Sequence, residues 1–375
     1  MPKIRPGLYL FYLSRAFICM QRIIMHLDLD AFFAACEERE RNISGKPVVV
    51  GADPKEGKGR GVVSTCNYSA REYGIHSGMP ISIAYRKCPD AIFLPVNFPL
   101  YISVSASIMN IVRKYADVFE QTSIDEAYLD VTEKTKGNYG TAEEIARKIK
   151  QGIQEKEKLT CSIGIGHNKL IAKTASDYKK PDGLTLVRPY KAKAFLEKLE
   201  IRKLYGIGKK GEQVMKELGV NTIGDLAAYD VEKLTGIFGN WGYELHQFAQ
   251  GIDERPVEES YTIKSMGREH TFENDTAEPK EIFEILEALS KDIYEEIREY
   301  KISFRTITLK IRYENFETHT KSKTVKPSDK ANTIIDVSKQ LVKPYLKGRK
   351  IRLVGIRVSN LVFGQKNLED FIKAK

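Results

Sequence analysis

Apolar residues in the first half of the chain come in two alternating textures. Short runs rich in Val, Ile and Leu at 23–29, 47–50, 62–65 and 161–165 have the length and composition of buried strands. Between them, residues 32–41, 101–115 and 141–156 carry apolar side chains at helical spacing, and in 101–115 Ile108, Ile111, Val112 and Tyr115 share one face. Residues 118–131 read as a β-hairpin. This alternation from 23 to about 187 predicts an α/β domain. From 191 to about 251 the texture changes to short helices punctuated by glycine. Residues 199–204 lead into Gly206-Ile207-Gly208, and Leu234 leads into Gly236-Ile237-Phe238-Gly239, which predicts two helix-hairpin-helix units. The polar, unpatterned stretch 252–261 reads as a linker. Beyond it, 262–272, 280–300, 304–313, 318–325, 330–341 and 350–358 read as β, α, β, β, α, β, a compact split βαβ domain.

Composition adds a partner class. A chain of 375 residues with 42% hydrophobic content has room for two to four cores, and its net charge of +10 suits a polyanion. The distribution sharpens this. Residues 301–366 hold 16 Lys and Arg against 4 acids, whereas 269–299 hold 3 against 11. Such segregation predicts a basic sheet lying on a nucleic-acid backbone with an acidic helix turned away. The five cysteines, Cys19, Cys36, Cys66, Cys88 and Cys161, are odd in number and form no C-x-x-C pair, which points to a reducing, cytoplasmic setting. Histidine and cysteine show no zinc spacing, so a metal would be held by oxygen ligands, as magnesium or manganese prefer. Residues 1–22 carry two apolar patches separated by Arg15, too short to span a membrane and without a cleavage site before the first strand. They read as an extension outside the fold, with Met20 and Met25 as alternative starts, and no membrane partner is expected.

Within this frame Ser123-Ile124-Asp125-Glu126-Ala127-Tyr128-Leu129-Asp130 places two adjacent carboxylates at the predicted hairpin turn. Neighbours on a regular strand point to opposite faces, so Asp125 and Glu126 can share an ion only if the backbone turns between them. A solvated acidic turn is the alternative, and the fragment alone leaves both open. If Asp28 of Asp28-Leu29-Asp30 lies on a neighbouring strand, three carboxylates can hold two divalent ions about 4 Å apart, a geometry suited to in-line displacement at phosphorus. A triphosphate would then need cationic and hydroxyl donors. Tyr68 and Arg71, three apart on one helix face, and Lys180 of Lys179-Lys180-Pro181-Asp182-Gly183 can supply them. Two decoys fail. Gly206-Ile207-Gly208-Lys209-Lys210-Gly211 satisfies G-x-G-x-x-G but follows a helical segment rather than a strand. The loop from Gly51 to Lys58 has the wrong glycine spacing for a phosphate-binding loop, and Gly59 stands where Ser or Thr is required; it reads as a basic loop between two strands.

Taken together, these motifs resemble the Y-family DNA polymerases of the DinB, or polymerase IV, type over nearly all of 23–363. The resemblance rests on Asp28-Leu29-Asp30-Ala31-Phe32-Phe33, Asn67-Tyr68-Ser69-Ala70-Arg71-Glu72-Tyr73-Gly74-Ile75, the Ser123 to Asp130 run, Gly164-Ile165-Gly166-His167-Asn168-Lys169, Lys180-Pro181-Asp182-Gly183 and Gly206-Ile207-Gly208. It implies an α/β multidomain fold: a palm of mixed sheet and helices (23–31 and 98–187), fingers (32–97), a helix-hairpin-helix thumb (188–252), a linker (253–262), a βαββαβ little finger (263–363) and a clamp-binding tail (364–375). It implies an error-prone translesion polymerase, active in DNA damage tolerance, that adds deoxynucleotides to a primer 3′ end on template DNA. Asp28, Asp125 and Glu126 would be the catalytic carboxylates and, with the Leu29 carbonyl, would bind two Mg2+ ions, Mn2+ being an alternative. Asp30 would support rather than ligate. Phe32, Phe33, Thr65, Tyr68, Arg71 and Lys180 would hold the nucleotide, with Phe33 as the steric gate against ribose. Small Ala31, Ser64 and Cys66 would leave room beside the templating base. Gly206, Gly208, Lys209 and Lys210 would hold DNA phosphates. Gln365, Leu368, Phe371 and Ile372 resemble a sliding-clamp box, although Ile372 stands in an aromatic slot, and Tyr205 stands where the family commonly has proline. The protein is expected to act as a monomer. Two rivals remain at this stage: another palm-type enzyme such as a nucleotide cyclase, which needs neither the hairpins nor the basic C-terminal domain, and a noncatalytic DNA-binding scaffold with a relic palm.

Overall fold

The computed structural model describes residues 21–43, 45–259 and 263–363, and the chain divides into two compact units, 1–259 and 260–375. The first unit opens with β1 (Ile24–Leu29), α1 (Phe32–Arg41), β2 (Val48–Gly51), β3 (Val63–Cys66), α2 (Tyr68–Glu72), α3 (Ile81–Lys87) and β4 (Ile92–Leu94). It continues through α4 (Phe98–Val112), β5 (Val118–Gln121), β6 (Glu126–Asp130), α5 (Thr132–Thr135), α6 (Tyr139–Glu157), β7 (Cys161–Gly166), α7 (Lys169–Tyr178) and β8 (Leu184–Leu186). Its larger sheet has the order β5-β6-β1-β7-β8, with β1 in the centre and antiparallel to both neighbours. Alternation along β1 divides the layers. Ile23, Met25, Leu27 and Leu29 enter a core with Tyr101, Ile108, Val112, Ala146, Ile149 and Ile153, so α4 and α6 cover that face. Each fully buried aliphatic chain there contributes about 1.5–3 kcal/mol.

The opposite face carries His26, Asp28 and Asp30 and meets α7. Helix and strand approach at backbone distance because Gly164 has no side chain: a Cβ there would overlap the Ala172 carbonyl oxygen and the Ser176 amide nitrogen. A smaller sheet, β3-β2-β4, packs with α2 and α3 around Val49, Val63, Ile75 and Ile81. The basic loop expected between two strands does join β2 to β3.

Helices α8 (Pro189–Leu196), α9 (Lys209–Glu217), α10 (Ile223–Ala228), α11 (Val231–Phe238) and α12 (Asn240–Ala249) enclose Leu196, Leu204, Met215, Ile223, Leu234 and Leu245. The first hairpin is present as anticipated. The second is not built on its glycines: Gly236 lies inside α11, and only Gly239, at φ 62, separates that helix from α12. Residues 253–258, read as linker, are anchored instead. Asp253 and Val257 are buried, the Asp253 carboxylate accepts from Leu170 N at 2.9 Å, and Glu258 N donates to Glu120 at 2.9 Å. Arg22, read as part of an extension, donates to the Arg255 carbonyl at 3.0 Å and pairs with Asp130 at 3.7 Å. Polar composition had no way to signal these partners, since every one of them is distant in sequence.

The second unit comprises β9 (Ser265–Thr276), α13 (Pro279–Glu299), β10 (Ile302–Tyr313), β11 (Thr318–Ser328), α14 (Ala331–Val342), β12 (Ile351–Ser359) and β13 (Val362–Phe363). This is the expected βαββαβ order followed by one short strand. The sheet runs β11-β10-β12-β9, and Ile307, Leu309 and Ile311 pack with Ile282, Leu286 and Ile334 of the helices. The other face aligns Thr306, Thr308, Lys310 and Arg312 with Ser359, Arg357, Gly355 and Leu353 of β12. Lys321, Lys323 and Lys326 stand exposed along edge strand β11, which also guards that edge against pairing with another chain. No described helix is long and apolar enough to cross a membrane. The four described cysteines, Cys36, Cys66, Cys88 and Cys161, are free and buried.

Candidate active site

The alternation that buries Leu27 and Leu29 presents Asp28 on the α7 face, in register with Glu126 of β6 and Ser162 of β7. Two carboxylates facing each other across a strand pair repel, so each needs compensation. Lys180 Nζ reaches Asp28 Oδ1 at 2.7 Å, and Lys173 Nζ of α7 reaches Glu126 Oε1 at 2.7 Å. The two acids are driven apart in acidity. Burial, reinforced by Glu126, pushes the Asp28 carboxyl up against the pull of Lys180. Burial also raises Glu126, but the His26 ring, with Nε2 3.7 Å away, and the hydrogen bond from Lys173 outweigh it and hold this group well below the usual range. His26 is itself wholly buried. Ser176 donates to the Lys173 carbonyl and pairs with His26 Nδ1 at 2.8 Å, and burial lowers the imidazole pKa.

Asp125 lies where β6 meets its turn. Its carbonyl accepts Leu29 N at 3.0 Å, which keeps the backbone in the ladder, while its carboxylate takes the Ser123 hydroxyl at 2.5 Å. The Ser123 hydroxyl also accepts from the amides of Asp125 and Glu126 and so shapes the turn. Asp28 and Glu126 therefore face one another, and the Asp125 carboxylate is turned onto Ser123. Among the described residues no three His, Cys, Asp or Glu groups already stand in metal-holding geometry. The donor chemistry still fits a hard divalent cation: carboxylate oxygens converge at one strand end, and two ammonium groups now supply the positive charge that an ion would bring.

Lys180 reaches Asp28 from a short loop and also pairs with Asp177 at 2.8 Å. Asp30, buried beside it, accepts the Ser162 hydroxyl at 2.8 Å and the Asp182 amide at 2.8 Å. It braces the loop.

Facing these groups is α2. Asn67, nearly buried, caps it by accepting Ala70 N at 3.0 Å, and also takes Val48 N and donates to Glu38 and the Lys46 carbonyl. Arg71 then stacks over the Tyr68 ring at 4.4 Å. The Tyr68 hydroxyl is buried without a partner, and burial, then the charge of nearby Asp30, raises its pKa. An unpaired buried donor beside two cations is a fit for a phosphate oxygen. Thr65, half-buried on β3, sits opposite Val50.

The two phenylalanines diverge. Phe32 is buried in the core, so it can offer a ligand only its backbone at the start of α1, where Ala31 adopts a left-handed φ of 47. Phe33 is half-buried and stacks on Tyr101 at 4.3 Å, with Phe98 edge-on at 6.0 Å. Tyr101 in turn donates to the fully buried Glu37 at 2.7 Å. Cys66 is in the core and donates to the Ile75 carbonyl, so it lines no open space, whereas Ser64 is exposed.

At the first hairpin Gly206 takes a φ of 94, Gly208 precedes α9 with open space around it, and Lys209 and Lys210 are exposed. Gln365, Leu368, Phe371 and Ile372 lie outside the described residues. Sequence reasoning did not single out Lys173, His26, Asn67 or Glu37. Asn67 stood in the Asn67 to Ile75 motif without a role of its own, and Lys173 lies four positions after Lys169 on the same helix.

Comparison with known proteins agrees with this architecture. Residues 27–177 match the model of the impB/mucB/samB family, 191–220 that of the IMS family HHH motif, and 263–369 that of the impB/mucB/samB family C-terminal domain. The chain is 44% identical to DNA polymerase IV of Methanoculleus marisnigri, covering 93% of this chain and 98% of that protein. It is 41% identical to DNA polymerase IV of Clostridioides difficile, covering 93% and 96%. A solved Y-family DNA polymerase chimera, Dbh-Dpo4(243-245)-Dbh, superposes with a TM-score of 0.84 at 35% identity over 91% of this chain and all of that one. DinB from Sulfolobus solfataricus gives 0.61 at 34% identity, again over 91% and 100%. A strand-borne carboxylate pair, a hairpin thumb motif, a basic C-terminal sheet and full-length similarity thus converge, and the chain belongs to the impB/mucB/samB family, the Y-family DNA polymerases of the DinB, or DNA polymerase IV, type.

Proposed function

We infer that the protein is a DNA-directed DNA polymerase of the translesion type, extending a primer 3′ end on template DNA with deoxynucleoside triphosphates. The observation that carries this is the pairing of Asp28 with Glu126 opposite the unpartnered Tyr68 hydroxyl, Arg71 and Lys180. Asp28, Asp125, Glu126 and the Leu29 carbonyl would hold two Mg2+ ions, or Mn2+, with the Asp125 carboxylate turning away from Ser123. The chemistry such ions would supply there is acidification of the primer hydroxyl and compensation of the triphosphate charge. Lys173 and His26 keep Glu126 ionised and oriented. Lys180 leaves Asp28 for the phosphates, where Arg71 and the Tyr68 hydroxyl also donate. Phe33, held flat against Tyr101, fills the space that a ribose 2′-hydroxyl needs. In this reading the larger sheet is the palm, the smaller sheet the fingers and the helical segment the thumb, whose Gly206 to Lys210 loop holds DNA phosphates. The second unit is the little finger, its open face on the duplex. Solved complexes of Dbh include one titled an insertion ternary complex.

The test is primer extension with Mg2+ on undamaged and damaged templates. Wild type should extend, and D125A with E126A should lose about 10³-fold or more, the scale of removing central electrostatic stabilisation. A wild-type chain that does not extend a primer, or a double variant that extends equally well, would sink the mechanism. The free, buried thiols suit a reducing cytoplasm, and monomeric action needs no second copy at this site. The tail carrying Gln365, Leu368, Phe371 and Ile372 would dock on a sliding clamp. Deleting 365–375 should abolish binding to purified clamp, and unchanged affinity would end that reading.

A further inference from the structure

The loop that delivers Lys180 is pinned from two sides. On the sheet side Asp30 accepts Asp182 N, Ser162 accepts Gly183 N at 3.1 Å, and Ile163 N donates to the Gly183 carbonyl at 3.0 Å. On the other side stands a lysine from a distant helix. Lys150 of α6 places Nζ 2.6 Å from Asp182 Oδ1, 2.5 Å from the Cys161 carbonyl and 3.4 Å from the Gly183 carbonyl. An exposed lysine–aspartate pair ordinarily contributes little. Lys150 differs because its side chain is only 17% exposed and it ties a loop carboxylate to two backbone carbonyls, one on β7 and one in the loop. Asp182 also holds a left-handed φ of 55, a conformation that aspartate tolerates better than most residues other than glycine.

We propose that Lys150 is a positioning residue for nucleotide binding: through Asp182 it fixes the 180–183 loop and thereby aims Lys180 at the triphosphate. The inference rests on the reading of Lys180 as a phosphate ligand. The Lys150 ammonium is spent on Asp182 and the carbonyls of Cys161 and Gly183, so its effect on nucleotide runs through the loop. If its loss lets the loop sample other positions, the apparent nucleotide affinity falls by the fraction of time the loop is competent, about five- to tenfold for a tripod of this kind.

The measurement is the dissociation constant of the incoming deoxynucleotide for full-length enzyme on a dideoxy-terminated primer-template, where no chemistry follows. K150M and the solvent-facing D182N should each weaken binding about five- to tenfold, with the maximal incorporation rate on an extendable primer within about twofold of wild type. K150R should recover most of the affinity. In a K180M background, K150M should add less than about a twofold loss, the non-additivity expected of residues acting as one unit. Unchanged affinity in both K150M and D182N overturns the proposal, as does an undiminished K150M effect in the K180M background, which marks a general structural role. Should K180M alone bind nucleotide as tightly as wild type, the reading of Lys180 falls and this inference with it. Failure of K150M alone leaves that reading intact.

Discussion

Removing the carboxylate of Asp253 tests whether the segment after α12 is part of the first unit. Its side chain is 1% exposed and accepts Leu170 N at 2.9 Å, Arg255 N at 3.2 Å, and Arg255 Nε and Nη2 at 2.7 and 2.9 Å. In D253A the Leu170 amide, in the first turn of α7, loses its partner in a buried setting, a loss of about 1–3 kcal/mol. Breaking a buried ion pair adds to this, but the Arg255 side chain is 40% exposed and can regain water, so the full penalty of about 3–5 kcal/mol is not reached. A total near 2–3 kcal/mol follows, equivalent to a fall of about 5–10 °C in the midpoint of a unit this size. The chain contains a single tryptophan, Trp241 on α12, so tryptophan fluorescence follows the first unit selectively. The acid dependence has a definite sign. Burial raises the Asp253 carboxyl, but the Arg255 hydrogen bonds outweigh it and the net shift is downward. The stabilisation is therefore complete above the ordinary aspartate value near 4 and disappears as pH falls through the lower folded value. The gap between wild type and D253N should be constant from about pH 5 to 8 and close in acid. A D253A midpoint within about 1 °C of wild type at pH 7 refutes the reasoning.

Three further outcomes are expected. G164A should destabilise the first unit by about 3 kcal/mol or more, because the new methyl group meets α7 backbone rather than a side chain that can turn aside; displaced with the helix, Lys173 should leave Glu126 and primer extension should fall at least about tenfold, so an active, stable G164A would be decisive against this packing. E37A should leave the buried Tyr101 hydroxyl unpaired and free the ring behind Phe33, lowering the preference for deoxy- over ribonucleotide by about fivefold or more in competition assays; an unchanged ratio would show that Phe33 needs no backing. Glu269 holds Lys310 at 2.7 and 2.8 Å on the open face of the second unit, so E269Q should tighten DNA binding at low salt and steepen its log–log salt slope by about one; a slope equal to wild type would remove Lys310 from the contact surface.

Elements whose signal is periodicity were legible in the sequence. The hairpin at 118–131 appears as β5 and β6, α1 spans the anticipated residues, and the six elements expected of the second unit occur within a few positions of their expected ends. For the carboxylates the sequence offered only a condition, that Asp28 lie on a strand next to the Asp125–Glu126 pair, and the register of β1 and β6 meets it by setting Asp28 opposite Glu126. What escaped was long-range polar pairing. Lys150 and Asp182 are 32 residues apart, and Glu120 and Glu258 are 138 apart; a charged side chain gives the same local signal whether it meets water or a distant carbonyl. Gly236 misled for the opposite reason. Glycine spacing alone cannot distinguish a hairpin turn from a helix interior that tolerates glycine.

Strand β1 is flanked on both sides by antiparallel partners and shielded from solvent along its whole length. Its amides can exchange with water only when the centre of the sheet opens, so they should be among the slowest in the molecule. The strand that carries Asp28 thus opens with the global unfolding of its unit, while α2, with Tyr68 and Arg71, belongs to a small peripheral sheet that can open at lower cost. On mild denaturation the triphosphate grip of Tyr68 and Arg71 should fade before the carboxylate centre and the Phe33–Tyr101 stack do, leaving a window in which nucleotide binds weakly while ribose is still refused.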